Sequence, residues 1–277
     1  MNKIKKIFLE LAGFLLASLL VFALLSLLIS PAENKLSKHS QRQVKTLYYV
    51  AIGDSLTEGV GDATSQGGFV PLLAQNIQNG SNVSVDFQNF GHAGDTSTQI
   101  YEKIKQKQIQ SALKEADFIT LTVGGNDVMK VVRDNASHLS DLTVSDFTKP
   151  SQSYQKQIQM IFDNIRKVNK KAHIYVLGIY NPFYLNFPQI TALQEIIDNW
   201  NKATEKVVQE QENISFVPIN DLLYKGIDGK QGISETESDS ANVSNDLLFT
   251  GDHFHPNNIG YQIMANAVFE KYQQVNN

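Results

Sequence analysis

The sequence predicts an α/β fold, a parallel sheet covered on both faces by helices. Two observations carry this. Five short runs rich in Val, Ile, Phe, Tyr and Thr recur along the chain, mostly apolar on both faces, as strands buried in a parallel sheet are. Between them lie longer segments whose apolar residues recur every three or four positions, as on a helix face. With the N-terminal segment set aside, about 230 residues remain, which fits one α/β domain.

The first segment is of another kind. "MNKIKKIF" carries Lys3, Lys5 and Lys6, and the nineteen residues from Leu11 to Ile29 hold no charge. A bilayer-spanning helix needs roughly 20 such residues, whereas the apolar region of an export signal has about 7–15. Residues 1–30 are therefore expected to be a single transmembrane anchor. A cleaved signal is the alternative, since "SPA" at 30–32 offers small residues to a peptidase. A buried soluble helix is the weakest reading, because an all-round apolar helix beside a polar linker has no core to enter. Lys35, Lys38, Arg42 and Lys45 follow the span, so the positive-inside count is nearly balanced. A short basic tail before a first apolar span is the export arrangement, which puts the N-terminus inside and the domain outside.

Residues 31–45 lack apolar periodicity and read as a polar linker, and 46–277 as the globular domain. The expected strands are 46–52, 83–88, 117–123, 173–178 and 214–218. Helices fit between them. Ile158, Ile161, Phe162, Ile165 and Val168 mark one, and Ile190, Leu193, Ile197, Trp200 and Thr204 another, with Val207 and Val208 following. The last helix opens at "HPNNIGY", with Pro256 expected in its first turn and Ile259, Ile263, Ala267 and Val268 on its apolar face. Residues 225–246 are polar, acidic and dotted with glycine. That is long for a loop inside a compact domain. The stretch reads either as a disordered surface insertion or as a flap near a site.

Composition narrows the chemistry. A net charge of −4 gives no basic footprint for nucleic acid. The absence of cysteine excludes disulfides, thiolate metal sites, cysteine nucleophiles and a cysteine lipid anchor.

"GDSLTEG" at 53–59 places a lone serine just past the first strand. A serine hydroxyl needs a base, usually histidine, and the histidine needs an acceptor to fix its tautomer. His39 lies in the linker, and His92, His138 and His173 are isolated, as surface or strand-end residues are. "GDHFHPNNIGY" offers Asp252 and His255 three residues apart, on a turn where the carboxylate can reach one ring nitrogen and leave the other free. His253 between them points elsewhere. Acyl transfer also needs donors for an oxyanion. "NFGHAGDTS" (89–97) and "TVGGNDV" (122–128) are glycine-bearing turns after the second and third strands, and Asn126 brings a neutral amide donor. Open α/β sheets bind ligands outside the carboxyl ends of their strands, and these motifs converge on that edge.

Together the four blocks resemble those of the SGNH hydrolases, the GDSL family of esterases and lipases. They occur in the family's order and span residues 53 to 256. The resemblance implies a flavodoxin-like three-layer α/β/α fold with a five-stranded parallel sheet, and a serine esterase mechanism without metal or cofactor. It implies Ser55 as nucleophile, His255 as base and Asp252 as its partner. The Gly94 N–H and the Asn126 side chain become oxyanion donors, and the Ser55 N–H can join them. Asp54 and Asp127 are expected to hold turns rather than to do chemistry. Tyr180, Phe183, Tyr184 and Phe187, after the fourth strand, are candidates to line an apolar acyl pocket. The expected partner is an ester substrate, lipid or acylated glycan. Three functions are distinguished: a lipase or esterase, an O-acetyl esterase or transferase on cell-wall polysaccharide, and, remotely, a non-enzymatic surface-binding domain.

Overall fold

In a computed structural model, residues 2–28, 44–137, 142–185, 191–227, 232–233 and 243–276 are described. The chain divides into two compact units, Met1–Val44 and Lys45–Asn277. The first contains helix α1 (Asn2–Leu28). Its described apolar side chains, Phe14, Leu16, Leu19 and Phe22 among them, are exposed. Among the described residues no helix is long and apolar enough to cross a membrane. The expected transmembrane helix thus finds no support in them. His39 and most of the linker lie outside the described residues.

The second unit is built on strands β1 (Lys45–Gly53), β2 (Val83–Gly91), β3 (Phe118–Thr122), β4 (His173–Leu177) and β5 (Ile214–Val217). They form one parallel sheet in the order β2-β1-β3-β4-β5. The order reverses between β1 and β3, the place where open sheets of this kind bind their ligands.

Alternation along each strand feeds two cores. Val50, Ile52, Ile119, Leu121, Ile174 and Val176 face α4 (Ser97–Lys103), α5 (Lys107–Glu115), α7 (Thr148–Val168) and α8 (Thr191–Gln209). Tyr49, Ala51, Phe118, Tyr175 and Leu177 face α3 (Phe69–Gly80) and α10 (Asn258–Asn276). Residues apolar on both faces are what a central strand needs, and β3 is buried at every position. Strand β2 departs from that expectation: Asp86 to Asn89 are exposed. It is one of the two edge strands of the described sheet, with a described neighbour on one side, so polar residues there cost little and discourage pairing with other chains.

The last helix also differs from expectation. It begins at Asn258, two residues after Pro256. Asn257 caps it, its side-chain oxygen accepting from the N–H groups of Ile259 and Gly260 at 2.9 and 3.1 Å. Pro256 instead sits in an isolated bridge with Leu248. Tyr261, Met264, Ala265 and Val268 are buried, the expected Ile263 and Ala267 pack against them in part, and Ile259 alone of the expected face is exposed, at 51%. An aromatic ring at Tyr261 carries the helix into the core, rotating the apolar face away from Ile259. Within 225–246, Gly232–Ile233 (β6) and Val243–Ser244 (β7) form a short antiparallel pair after helix α9 (Asn220–Leu223). The two ends of the stretch are tied together, Ile227 N–H donating to Asp246 Oδ1 at 2.8 Å, and residues 228–231 and 234–242 lie outside the described residues.

Candidate active site

Strand β1 ends at Gly53, and the chain turns at once into the short helix α2 (Ser55–Glu58). Asp54 caps it, accepting from Leu56 N–H at 3.1 Å. The same carboxylate oxygen accepts from the Thr122 hydroxyl at 2.8 Å. Thr57 Oγ1 lies 2.8 Å from Thr122 Oγ1. All four residues of this cluster are buried. Ser55 is therefore the first residue of a turn bolted from below to the end of β3. Burial pushes the Asp54 carboxyl above its ordinary value, more than its hydrogen bonds pull it down. Asp54 has the turn-holding place expected of it.

The histidine that meets Ser55 arrives from the other end of the chain. His255 Nε2 lies 2.9 Å from Ser55 Oγ, and His255 Nδ1 lies 2.6 Å from Asp252 Oδ2. The other oxygen of Asp252 accepts from the backbone N–H groups of Phe254 and His255 at 2.9 and 3.0 Å. Burial acts against ionisation of this carboxylate, but the bonds from the His255 ring and the two backbone groups outweigh it and hold the carboxyl below its ordinary value. With Nδ1–H given to Asp252, Nε2 is left to accept from the serine hydroxyl. His253 is exposed and left-handed, with φ of 51°.

The two glycine turns come together beside this pair. His92 N–H donates to the Gly53 carbonyl at 3.0 Å, tying the turn after β2 to the end of β1. A Cβ on Gly91 would stand 2.2 Å from the Glu58 nitrogen, so only glycine lets β2 end against α2. Glu58 in turn accepts from Ala93 N–H. Gly94 follows, exposed, with open space around it. The Asn126 amide donates to the Asp95 carbonyl at 3.0 Å, which fixes its orientation next to Gly94. Helix α6 (Gly125–Asp134) starts here after Gly124, whose φ of 111° is open to glycine. Asp127 in α6 accepts from Ser97 N–H at 2.9 Å and Ser97 Oγ–H at 2.6 Å, clamping α4 to α6. Burial raises the Asp127 carboxyl in spite of those bonds.

Ser55 and Asn126 open onto a hollow of about 40 Å³ walled by Val123, Ile179, Tyr180, Pro182 and Phe254. Tyr180 lines it, and its hydroxyl donates to the Phe254 carbonyl. Phe183 stands edge-tilted to Phe254, ring centres 5.7 Å apart. Tyr184 packs on Tyr224 instead, at 4.7 Å, and Phe187 lies outside the described residues. Of the isolated histidines, His92 is an exposed partner of Asp95 and His173 sits 2.9 Å from Ser215 Oγ. His138 lies outside the described residues.

Sequence reasoning passes over three supporting groups. Thr57 sits inside the "GDSLTEG" block and Thr122 at the start of "TVGGNDV". Asp62 is the third. It accepts from Thr64 N–H and Oγ–H, Asn258 and the N–H groups of Gln66, Gly67 and Gly68. Burial is outweighed by these donors, which lower its carboxyl to about 2. The signal is there in "GDATSQGG", an aspartate followed by small and glycine residues whose N–H groups it can gather.

A sheet in this order, with these turns on one edge, is the fold of the SGNH hydrolases, and solved structures agree. A lipase, Lip_vut3, from a goat rumen metagenome superposes with a TM-score of 0.65 at 23% identity, covering 80% of this chain and 95% of its own. A mutant of Axe2, an acetyl-xylooligosaccharide esterase of Geobacillus stearothermophilus, does so with a TM-score of 0.57 at 16% identity, covering 82% and 94%. The chain belongs to the GDSL-like lipase/acylhydrolase family, which it matches over residues 51–263. It is 32% identical over 240 residues to the uncharacterized protein YpmR of Bacillus subtilis (strain 168), covering 86% of each chain. It is 25% identical over 230 residues to the spore germination lipase LipC of Bacillus licheniformis, covering 79% of this chain and 93% of the other.

Proposed function

We propose that the protein is a serine esterase that hydrolyses carboxylic esters through an acyl-enzyme on Ser55. The observation that carries this is the unbroken hydrogen-bonded chain from Asp252 through His255 to Ser55. As Ser55 Oγ attacks the ester carbonyl, His255 Nε2 takes its proton, and Asp252 stabilises the imidazolium that forms. The carbonyl oxygen, now an anion, is received by the N–H groups of Ser55 and Gly94 and by the Asn126 amide. Collapse of the adduct expels the alcohol, which leaves with the proton from His255. Water repeats the cycle on the acyl-enzyme and releases the acid. Lipid or short-chain acyl esters are the substrates of this reading. An acetylated cell-wall polysaccharide, or transfer of the acyl group to another alcohol, would use the same intermediate. A fluorophosphonate probe should label the parent protein and leave Ser55→Ala unlabelled. Equal labelling of both would overturn the assignment.

We also propose that residues 1–30 anchor the protein in the cell membrane, that 31–45 are a spacer, and that 46–277 work outside the cell. The uncharged run from Leu11 to Ile29 supports this, as do the exposed apolar side chains of α1. The full chain should fractionate with membranes and be open to protease on intact cells. A chain beginning at Lys45 should be soluble and active. Recovery from the medium of a protein lacking its first thirty-odd residues would establish a cleaved signal instead.

A further inference from the structure

A second hollow, also about 40 Å³, lies directly behind the one at Ser55. The two share Gly125, Ile179, Tyr180, Pro182 and Phe254 as a common wall. The second is bounded by Val128, Met129 and Val132 on one face of α6, by Leu193 and Ile197 on α8, and by Phe183. Among the described residues no charged side chain lines it. Its polar groups are already engaged within the protein. The Asn181 amide donates to Gln194 at 3.1 Å and its oxygen accepts from Phe183 N–H at 3.0 Å. The Tyr180 hydroxyl is given to the Phe254 carbonyl. What these walls offer an incoming group is hydrocarbon.

We propose that this second hollow receives the distal carbons of the substrate's acyl chain, so that the protein prefers medium-chain to acetyl esters. The proposal rests on the esterase reading above and names the substrate class of that same site. The polar end, with Ser55 and Asn126, fixes where the ester carbonyl lies. From there the hollow at Ser55 takes the first carbons of the acyl group, and Ile179 and Pro182 stand where the chain passes into the space between α6 and α8. A sugar ring placed there would leave its hydroxyls without partners, a heavy cost in a buried apolar site. An alkyl chain loses nothing and leaves water. At the usual free energy of burying a methylene, each added carbon should raise kcat/KM about fourfold until the space is filled.

The test is a series of p-nitrophenyl esters, acetate, butyrate, hexanoate and octanoate, on the full chain in detergent. The leaving group is constant, so the profile reports the acyl site alone. The expected result is a kcat/KM that climbs with chain length from acetate. Val132→Phe narrows the second hollow from α6 and should lower the octanoate-to-acetate ratio of kcat/KM at least about tenfold. Leu193→Trp narrows it from α8 and serves if the first variant does not fold, which circular dichroism decides. A flat or falling profile in the parent, with fluorophosphonate labelling at Ser55 intact, would overturn the acyl-chain proposal and leave the esterase reading standing. An unchanged ratio in a folded variant would do the same. Absence of turnover on every ester, with no label at Ser55, would overturn both.

Discussion

The serine turn and the histidine turn meet across one hydrogen bond, yet they are built in opposite ways. Around the serine, Asp54, Thr57 and Thr122 are 3%, 0% and 1% exposed, and their bonds run to one another beneath it. Around the histidine, the Asp252 side chain is 35% exposed, and the turn is held largely by its own backbone. His253 N–H donates to the Phe249 carbonyl and Phe249 N–H to the His255 carbonyl, each at 2.8 Å. Tyr180 reaches up from the pocket wall to the Phe254 carbonyl. The serine is thus positioned by the core, and the histidine by a local loop. Changes near the serine should cost stability, and changes near the histidine should cost turnover.

The largest expected effect lies in the histidine turn. Asp252→Asn should lower kcat by up to about 10⁴, because the imidazole loses the acceptor that fixes its tautomer. His255→Ala should lose at least as much, and the double variant should be no worse than the worse single, since the two act as one unit. Urea unfolding of these variants should stay close to the parent. His253→Ala, by contrast, should keep most activity. A dead His253→Ala beside a live His255→Ala would reassign the base within the turn. Next comes Asn126→Ala. Deleting one oxyanion donor should lower kcat by roughly 10²–10³, with much less change in KM, because the contact strengthens mainly in the transition state. An unchanged kcat would reduce Asn126 to a partner of the Asp95 carbonyl.

The same contrast explains what is legible in the sequence. The central strands are readable because a central parallel strand must be apolar on both faces, a constraint met by burial at every position of β3 and at all of β4 after His173. Strand β2 is placed correctly, but its exposed half is not foreseen, because being at an edge is a property of the sheet order and not of the strand. Ser55, Asn126, Asp252 and His255 stand out because each chemical role admits few residue types, and the structure brings them to one edge. The supports are harder. Thr122 reads as one more β-branched strand residue until β1 is laid beside it. On α10 the reading places Ile263, Ala267 and Val268 against the core but includes the exposed Ile259 and omits Tyr261, which buries its ring and gives its hydroxyl to the Val60 carbonyl at 2.6 Å, so it is neither plainly apolar nor plainly polar in a periodic pattern.

In the serine turn, Asp54 offers a sharper test. Asp54→Ala would leave Leu56 N–H and the Thr122 hydroxyl without their acceptor in a buried place, at a cost of about 1–3 kcal/mol in urea unfolding. Asp54→Asn keeps an acceptor oxygen for both. Because burial raises the folded carboxyl above its ordinary value, the group favours folding where it is protonated, and that benefit is lost as pH rises through the folded value. Asparagine is neutral at every pH, so Asp54→Asn should be at least as stable as the parent at pH 7. A strongly destabilised asparagine variant would mean that the negative charge itself is needed there.

The smallest expected effect concerns the residue that joins the two turns. Asp62 gathers the loop after the serine, and through Asn258 at 2.7 Å it holds the start of α10, just beyond His255. Asn258 answers by accepting from Ala63 N–H at 3.1 Å. Asp62→Asn would turn an NH₂ group toward Gln66, Gly67 and Gly68, whose N–H groups now point at the carboxylate. Donor would face donor. Since the loop is partly open to water, the loss should be modest, about 1–2 kcal/mol at pH 7. Its pH dependence identifies the cause. The folded carboxyl is held at about 2, below its ordinary 3.8, so its contribution is fully present well above pH 4. It fades as pH falls toward 2, where the folded carboxylate takes up its proton. Parent and variant should therefore differ at pH 7 and converge across that window, while kcat at pH 7 falls by less than about tenfold. A difference that persists unchanged at pH 2 would show that the charge contributes nothing there. A loss of turnover as deep as that of Asp252→Asn would show that the histidine turn depends on its neighbour, and that the division between a core-held nucleophile and a locally held base is too sharp.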